Sequence, residues 1–138
     1  MNGKAQPFAW PVRVYYEDTD LGGVVYYANY LKFMERARTE WLRALGFDMR
    51  AMAREHHCHF VAQRVEIDYL RPALLDDQLI ATVALARAGY ARLVLEQDLL
   101  KDDQRLARGK VTLACITTDT GQPTPMPARL KNTLEKLS

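Results

Sequence analysis

The chain changes its hydrophobic period as it is read from the N-terminus. From Trp10 to Glu17 it alternates: Val12, Val14 and Tyr16 fall on one side, Arg13, Tyr15 and Glu17 on the other. Alternation rich in β-branched and aromatic residues predicts a strand. Pro11 near its start places that strand at an edge or an entry, because proline cannot donate to a ladder on both sides. From Ala28 to Leu45 the spacing becomes three and four. Leu31, Met34, Ala37, Trp41, Leu42 and Leu45 make one apolar stripe, while Lys32, Arg36, Glu40 and Arg43 fall off it. This is a long amphipathic helix of roughly 27 Å. Arg36 and Glu40 form an i,i+4 pair on its polar side, and Gly46 stands where a C-cap belongs. Phe47 to Arg54 reads as a second, short helix.

Alternation returns at Phe60–Leu70, where Val61, Val65, Ile67 and Tyr69 oppose Ala62, Arg64, Glu66 and Asp68. Such a strand is half-buried. Arg71-Pro72 ends it. Leu79–Arg87, Ala91–Lys101 and Leu106–Thr118 read as three more strands, divided by Ala88-Gly89 and Asp102-Asp103-Gln104. Pro127–Leu137 predicts a short helix with Leu130, Leu134 and Leu137 on one face. Short turns demand antiparallel neighbours, so the four later strands are expected to pair in succession. The expected architecture is α+β, a five-stranded antiparallel sheet with one long central helix, as a single domain over residues 1–138.

Composition narrows the function classes. Of 138 residues, 49% are hydrophobic and 26% charged, which excludes disorder except in the first few and last few. A net charge of +2 without a basic run gives no footing for nucleic acid. Cys58 and Cys115 show no CxxC spacing and are expected to be buried free thiols in a reducing compartment. Met1–Trp10 lacks the apolar run of a signal peptide, and no stretch approaches the roughly 20 apolar residues of a membrane span. The expected location is the cytoplasm.

The candidate chemistry sits between the first strand and the long helix. Asp18-Thr19-Asp20-Leu21-Gly22-Gly23 cannot continue a strand, and Val24-Val25-Tyr26-Tyr27-Ala28-Asn29-Tyr30 leads into the helix. Asp20 is a potential base or nucleophile, and the free N–H groups that open a helix can stabilise an oxyanion. Local sequence alone favours Asp18 and Asp20 as turn formers or caps. Two aspartates, two glycines and a group of aromatics are nonetheless more than a turn needs. Gly22 and Gly23 allow close approach of a ligand; Tyr26, Tyr27 and Tyr30, with Phe33 and Met34, are candidates to line a slot; Asn29 can organise the loop by hydrogen bonding. Glu35 reads as an ion-pair partner of Arg36 or Arg38. His56-His57-Cys58-His59 offers at most two ligands on one strand face with no partner at metal spacing, so no metal is expected. No phosphate-binding, dinucleotide or GxSxG motif occurs, and no cofactor is expected.

Val14–Asp20, Gly22–Tyr26, Ala28–Tyr30 and Glu35–Glu40, followed by Asp68-Tyr69-Leu70-Arg71-Pro72-Ala73, resemble the signature of hotdog-fold acyl-CoA thioesterases. The closest group is the tol-pal-associated YbgC type, within the wider 4-hydroxybenzoyl-CoA thioesterase family. The resemblance covers Val12 to Thr118. It implies a hotdog fold, the five-stranded antiparallel sheet wrapped around the Ala28–Leu45 helix, and a dimer or a tetramer of such subunits with active sites at the subunit interface. It implies Asp20 as the catalytic carboxylate and the backbone N–H at Tyr27 as the oxyanion donor. It implies substrate contacts at Gly23, Val25, Tyr26, Asn29 and Tyr30, with Asp18 in support. The YbgC type carries His where this chain has Tyr27, so a backbone donor survives and an imidazole acid or base does not. Acyl-CoA is the implied substrate, its phosphates meeting arginines such as Arg64, Arg71, Arg87 or Arg92. An acyl-carrier-protein thioester and a non-catalytic acyl-binding scaffold are the rival readings.

Overall fold

A computed structural model describes residues 6–137. The expectations for the first few residues, for the first half of Met1–Trp10 and for Ser138 lie outside them. Strand β1 spans Phe8–Arg13, helix α1 Asn29–Ala44 and helix α2 Met49–His56. Strands β2 (Cys58–Tyr69), β3 (Gln78–Ala88), β4 (Arg92–Lys101) and β5 (Gln104–Thr117) follow, and helix α3 (Ala128–Glu135) closes the order. The strands form one sheet in the order β1-β3-β4-β5-β2, and every pairing is antiparallel. Helix α1 lies across β3, β1 and β4. The α+β reading and the strand count agree with the sequence, and Pro11 is on an edge strand as expected.

The expected succession of neighbours fails at one step. β2 pairs with β5 and not with β3. The segment after β2 is drawn across to the β1 side instead. Leu74 bridges to Val24, the Asp76 N–H donates to Val14 O at 3.0 Å, and the Val14 N–H donates to Asp77 O at 2.9 Å. β1 also ends sooner than the predicted Glu17. The Tyr15 N–H donates to Asp18 Oδ2 at 2.8 Å, and Tyr16–Asp18 winds into a single 3₁₀ turn. Val12 and Val14 are buried together, but Tyr16 is 82% exposed and does not share their face.

The faces of β2 also differ from simple alternation. A bulge between Ala62 and Arg64 shifts the parity. Phe60 and Ala62 oppose Cys115 and Leu113, while Val65, Ile67 and Tyr69 oppose Val111, Gly109 and Ala107. Directly opposed residues share a face, so the helix-facing set is Phe60, Ala62, Val65, Ile67 and Tyr69, and Val61 faces away.

The core forms between α1 and the sheet. Tyr30, Phe33, Met34, Ala37, Trp41 and Leu42 are the buried face of α1. Leu31 and Leu45, placed on that stripe by their spacing, are only partly covered, and Phe33 and Met34 are fully buried core residues rather than lining of a slot. Close approach is set by Gly109 on β5. A Cβ there would lie 3.0 Å from the Met34 side chain and 3.2 Å from the Gln97 carbonyl. Gln97, fully buried, donates from Nε2 to Met34 O at 2.9 Å and accepts from Arg38 Nη1 at 3.1 Å. Arg38 thus bonds Gln97, with the Glu35 carboxylate nearby easing the cost of its burial. Glu40 pairs with Arg43 at 2.8 Å rather than with Arg36. Gly46, at φ +95°, ends α1 in a Schellman arrangement: Phe47 N–H donates to Leu42 O at 2.9 Å and Gly46 N–H to Arg43 O at 3.0 Å. Cys58 and Cys115 are buried free thiols. No helix among the described residues is long and apolar enough to cross a membrane.

Candidate active site

The acidic loop is a small, tightly bonded hairpin that leads into α1. Thr19 bridges Val25, the Asp20 N–H donates to Val24 O at 3.0 Å, and the Gly23 N–H donates to Asp20 O at 3.0 Å. Gly23 sits at φ +75°, a conformation glycine adopts without strain. Asp20 is exposed near the tip, and its Oδ1 accepts from the Gly22 N–H at 3.0 Å. One carboxylate oxygen is therefore held by the turn, and the other has no partner among the described residues.

Asp18 has a different position. It is 7% exposed, and its side chain takes the Tyr15 N–H. Its carbonyl accepts twice, from the Tyr26 N–H at 3.0 Å and from Asn29 Nδ2 at 2.9 Å. Asn29, the first residue of α1, thus fastens the acidic loop to the helix that follows.

The head of α1 carries free donors. The Asn29 N–H donates to Tyr26 O at 2.9 Å and the Tyr30 N–H to Tyr27 O at 3.3 Å. The Tyr27 and Ala28 N–H groups, immediately before them, donate to nothing among the described residues. Unpaired N–H groups at a helix N-terminus, backed by the aligned peptide dipoles, favour a negative oxygen.

Beside this head lies a cavity of about 260 Å³ lined by Val25, Tyr27, Tyr30, Tyr69, Leu70, Arg71 and Pro72. The Tyr30 hydroxyl accepts from the Ala73 N–H at 2.9 Å, which fixes one wall. Burial pushes the pKa of the Tyr30 phenol up, so it stays protonated. The Tyr27 ring is 61% exposed and lies 4.8 Å from that of Tyr26, centroid to centroid. Of the sequence candidates, Val25, Tyr27 and Tyr30 line this cavity; Gly23 shapes the turn, Tyr26 backs Tyr27, and Asn29 holds the loop. Asp20 stands on the same hairpin but does not line the cavity of a single chain.

Tyr69 was not among the sequence candidates. Its signal was the Asp68–Ala73 motif, which marks the end of β2 without revealing that β2 turns its tyrosine toward α1. The arginines separate into two places. Arg71 lines the tyrosine cavity, whereas Arg64, Arg87 and Arg92 line a groove of about 470 Å³ on the outer sheet face. Arg64 is bonded to Glu66 at 3.0 Å. Among the described residues Arg87 and Arg92 form no ion pair. The His56–His59 run is divided by the end of α2, where His57 has φ +52°.

Residues 14–134 match the model of the thioesterase-like superfamily. The acyl-CoA thioesterase YbgC of Haemophilus influenzae is 42% identical over 124 residues, 90% of this chain and 91% of that protein. The acyl-CoA thioester hydrolase YbgC of Escherichia coli strain CFT073 is 40% identical over 121 residues, 87% of this chain and 90% of its own. The crystal structure of a probable thioesterase from Bartonella henselae superposes with a TM-score of 0.85 at 37% identity, covering 88% of this chain and all of that one.

Proposed function

The chain belongs to the thioesterase-like superfamily and is a hotdog-fold acyl-CoA thioesterase; from that premise we propose that Asp20 and the head of α1 carry the hydrolysis. The observation that supports this assignment is the pair of N–H groups at Tyr27 and Ala28, unbonded among the described residues, beside an aromatic cavity and just after the hairpin that bears an exposed carboxylate. The acyl group enters the tyrosine cavity with its carbonyl oxygen toward those N–H groups. As the carbonyl carbon becomes tetrahedral, negative charge collects on that oxygen and the two donors stabilise it. Asp20 either takes a proton from the attacking water or attacks the carbon itself. In the first route hydroxide adds and the CoA thiolate leaves. In the second the thiolate leaves from an acyl–Asp20 anhydride, which water then cleaves to the acid and the free carboxylate. Oxygen-18 from water that enters Asp20 during turnover distinguishes the second route from the first.

The CoA moiety brings phosphates, and planar guanidinium groups match their geometry. Arg71 at the cavity and the Arg64, Arg87 and Arg92 groove are the places where they are met. A second copy of the chain completes the site. β2 is an edge strand, and Val65, Tyr69 and Leu70 remain 40%, 43% and 52% exposed along it, which is the surface of a strand made to be covered. The enzyme works in the cytoplasm, where acyl-CoA is found.

Free-thiol release from short, long and aromatic acyl-CoAs, compared between wild type and Asp20→Asn, tests the assignment. The variant is expected to lose about 10²- to 10⁴-fold in kcat with an unchanged melting temperature, since Asp20 is exposed. A variant that keeps its activity removes Asp20 from the mechanism. No release from any of these substrates by the wild type points instead to a carrier-protein thioester or to binding without turnover.

A further inference from the structure

Tyr69 joins the end of β2 to the head of α1. Its hydroxyl donates to the Tyr27 carbonyl at 3.3 Å. Its ring meets the Tyr27 ring edge-on at 6.0 Å and leans on the Tyr30 ring at 5.3 Å. The Tyr27 carbonyl oxygen and the Ala28 N–H are the two ends of one peptide unit. That oxygen accepts twice, from Tyr69 and from the Tyr30 N–H, while the Ala28 N–H donates to nothing among the described residues. A hydrogen bond on the oxygen draws electron density from the nitrogen and makes the N–H a stronger donor.

Resting on the thioesterase reading above, we propose that Tyr69 is a positioning residue for the reaction. Its hydroxyl fixes and polarises the Tyr27–Ala28 peptide, so that the Ala28 N–H acts as a second oxyanion donor beside that of Tyr27. Its ring forms the wall of the acyl cavity on the β2 side. The thioester oxygen gains charge only as the carbonyl carbon becomes tetrahedral, so this polarisation favours the transition state over bound substrate. The hydroxyl therefore belongs to kcat and the ring to fit. Burial, and after it the neighbouring Tyr27 and Tyr30, pushes the pKa of the Tyr69 phenol up, which keeps the proton it must donate.

Tyr69→Phe removes the hydroxyl and keeps the ring; Tyr69→Ala removes both. The test measures thiol release from the acyl-CoA that the wild type cleaves fastest, with amide hydrogen exchange of the full chain alongside. Tyr69→Phe is expected to lower kcat about fivefold to tenfold with KM unchanged. It is also expected to speed exchange at Tyr30 and Leu31, whose N–H groups close the first turn of α1 on Tyr27 O and Ala28 O. Tyr69→Ala is expected to lose as much in kcat and to raise KM as well. A Tyr69→Phe enzyme with wild-type kcat, or one whose only defect is a higher KM, overturns the catalytic part. Unchanged exchange at Tyr30 and Leu31 overturns the clamp. A wild type without turnover fails the thioesterase reading itself, and the exchange comparison then still decides whether Tyr69 holds the head of α1.

Discussion

At the scale of single residues, the acidic loop divides its labour between two aspartates that look alike in the sequence. Asp18 is buried and spent on the backbone, while Asp20 is exposed with an oxygen to spare. Asn29 is what holds this division in place, because its amide reaches back to the Asp18 carbonyl. Asn29→Ala is expected to cost about 1 kcal/mol of stability, read by chemical denaturation. It is expected to lower kcat further than that loss explains, because the loop that carries Asp20 loses its tie to α1. Cys115 makes a prediction of another kind. Burial first, and then the neighbouring Cys58, pushes its thiol up to about 12 from an ordinary 9.0. The unfolded chain gives up this proton near the ordinary value, and the folded chain holds it until about 12. The contribution to stability is therefore complete below pH 9 and is lost as pH climbs from there toward 12. Melting temperature against pH is expected to fall less steeply over that range in Cys115→Ala than in the wild type.

At the scale of elements, the long helix and the later strands were legible because their apolar period is strong and their ends carry glycine or paired aspartates. What escaped the sequence depends on events between elements. The bulge between Ala62 and Arg64 moved Val61 off the face on which alternation placed it, and nothing in Ala62-Gln63-Arg64 announces a bulge. β1 stopped early because the Asp18 side chain captured a backbone donor that a strand would have used. In the candidate site, Tyr27 and Tyr30 were offered by the aromatic run at the start of α1 and Val25 by the family resemblance, and all three line the cavity, while local sequence alone read Asp20 as a turn former. Tyr69 was not, because its role depends on which edge β2 occupies. The contact of α1 with the sheet relies on the missing side chain of Gly109. Gly109→Ala forces a Cβ against Met34 and the Gln97 carbonyl. It is expected to cost about 1–3 kcal/mol, seen as a lower denaturation midpoint. Combined with Met34→Ala, which empties the space above it, the total loss is expected to be smaller than the sum of the two single losses.

At the scale of the whole molecule, a single chain holds the parts of the proposed site without enclosing them. Asp20 lies outside the tyrosine cavity, and the strand that carries Tyr69 is an uncovered edge. On the assembly proposed above, a second copy along β2 resolves both. Sedimentation is expected to give a mass at least twice that of one chain, and Val65→Lys on that edge is expected to lower it and to reduce thioesterase activity together. A Val65→Lys protein that is monomeric and fully active separates assembly from catalysis.

The strand order has a further consequence for the chain as it is made. Among the described residues β1 pairs only with β3 and β2 only with β5, so each edge of the sheet waits for a partner synthesised long after it. Phe8 needs Val83, and Cys58 needs Thr117. A nascent chain that has emerged from the ribosome as far as Lys101 can close the β1–β3–β4 half over α1, but β2 still has no neighbour. For as long as translation takes to deliver the next stretch, at about 5–20 residues per second, Phe60, Val65 and Tyr69 face the cell uncovered. The strand proposed to take a second copy first waits for its own chain, and chains cut short before Gln104 are the ones that chaperones and proteases should find at β2.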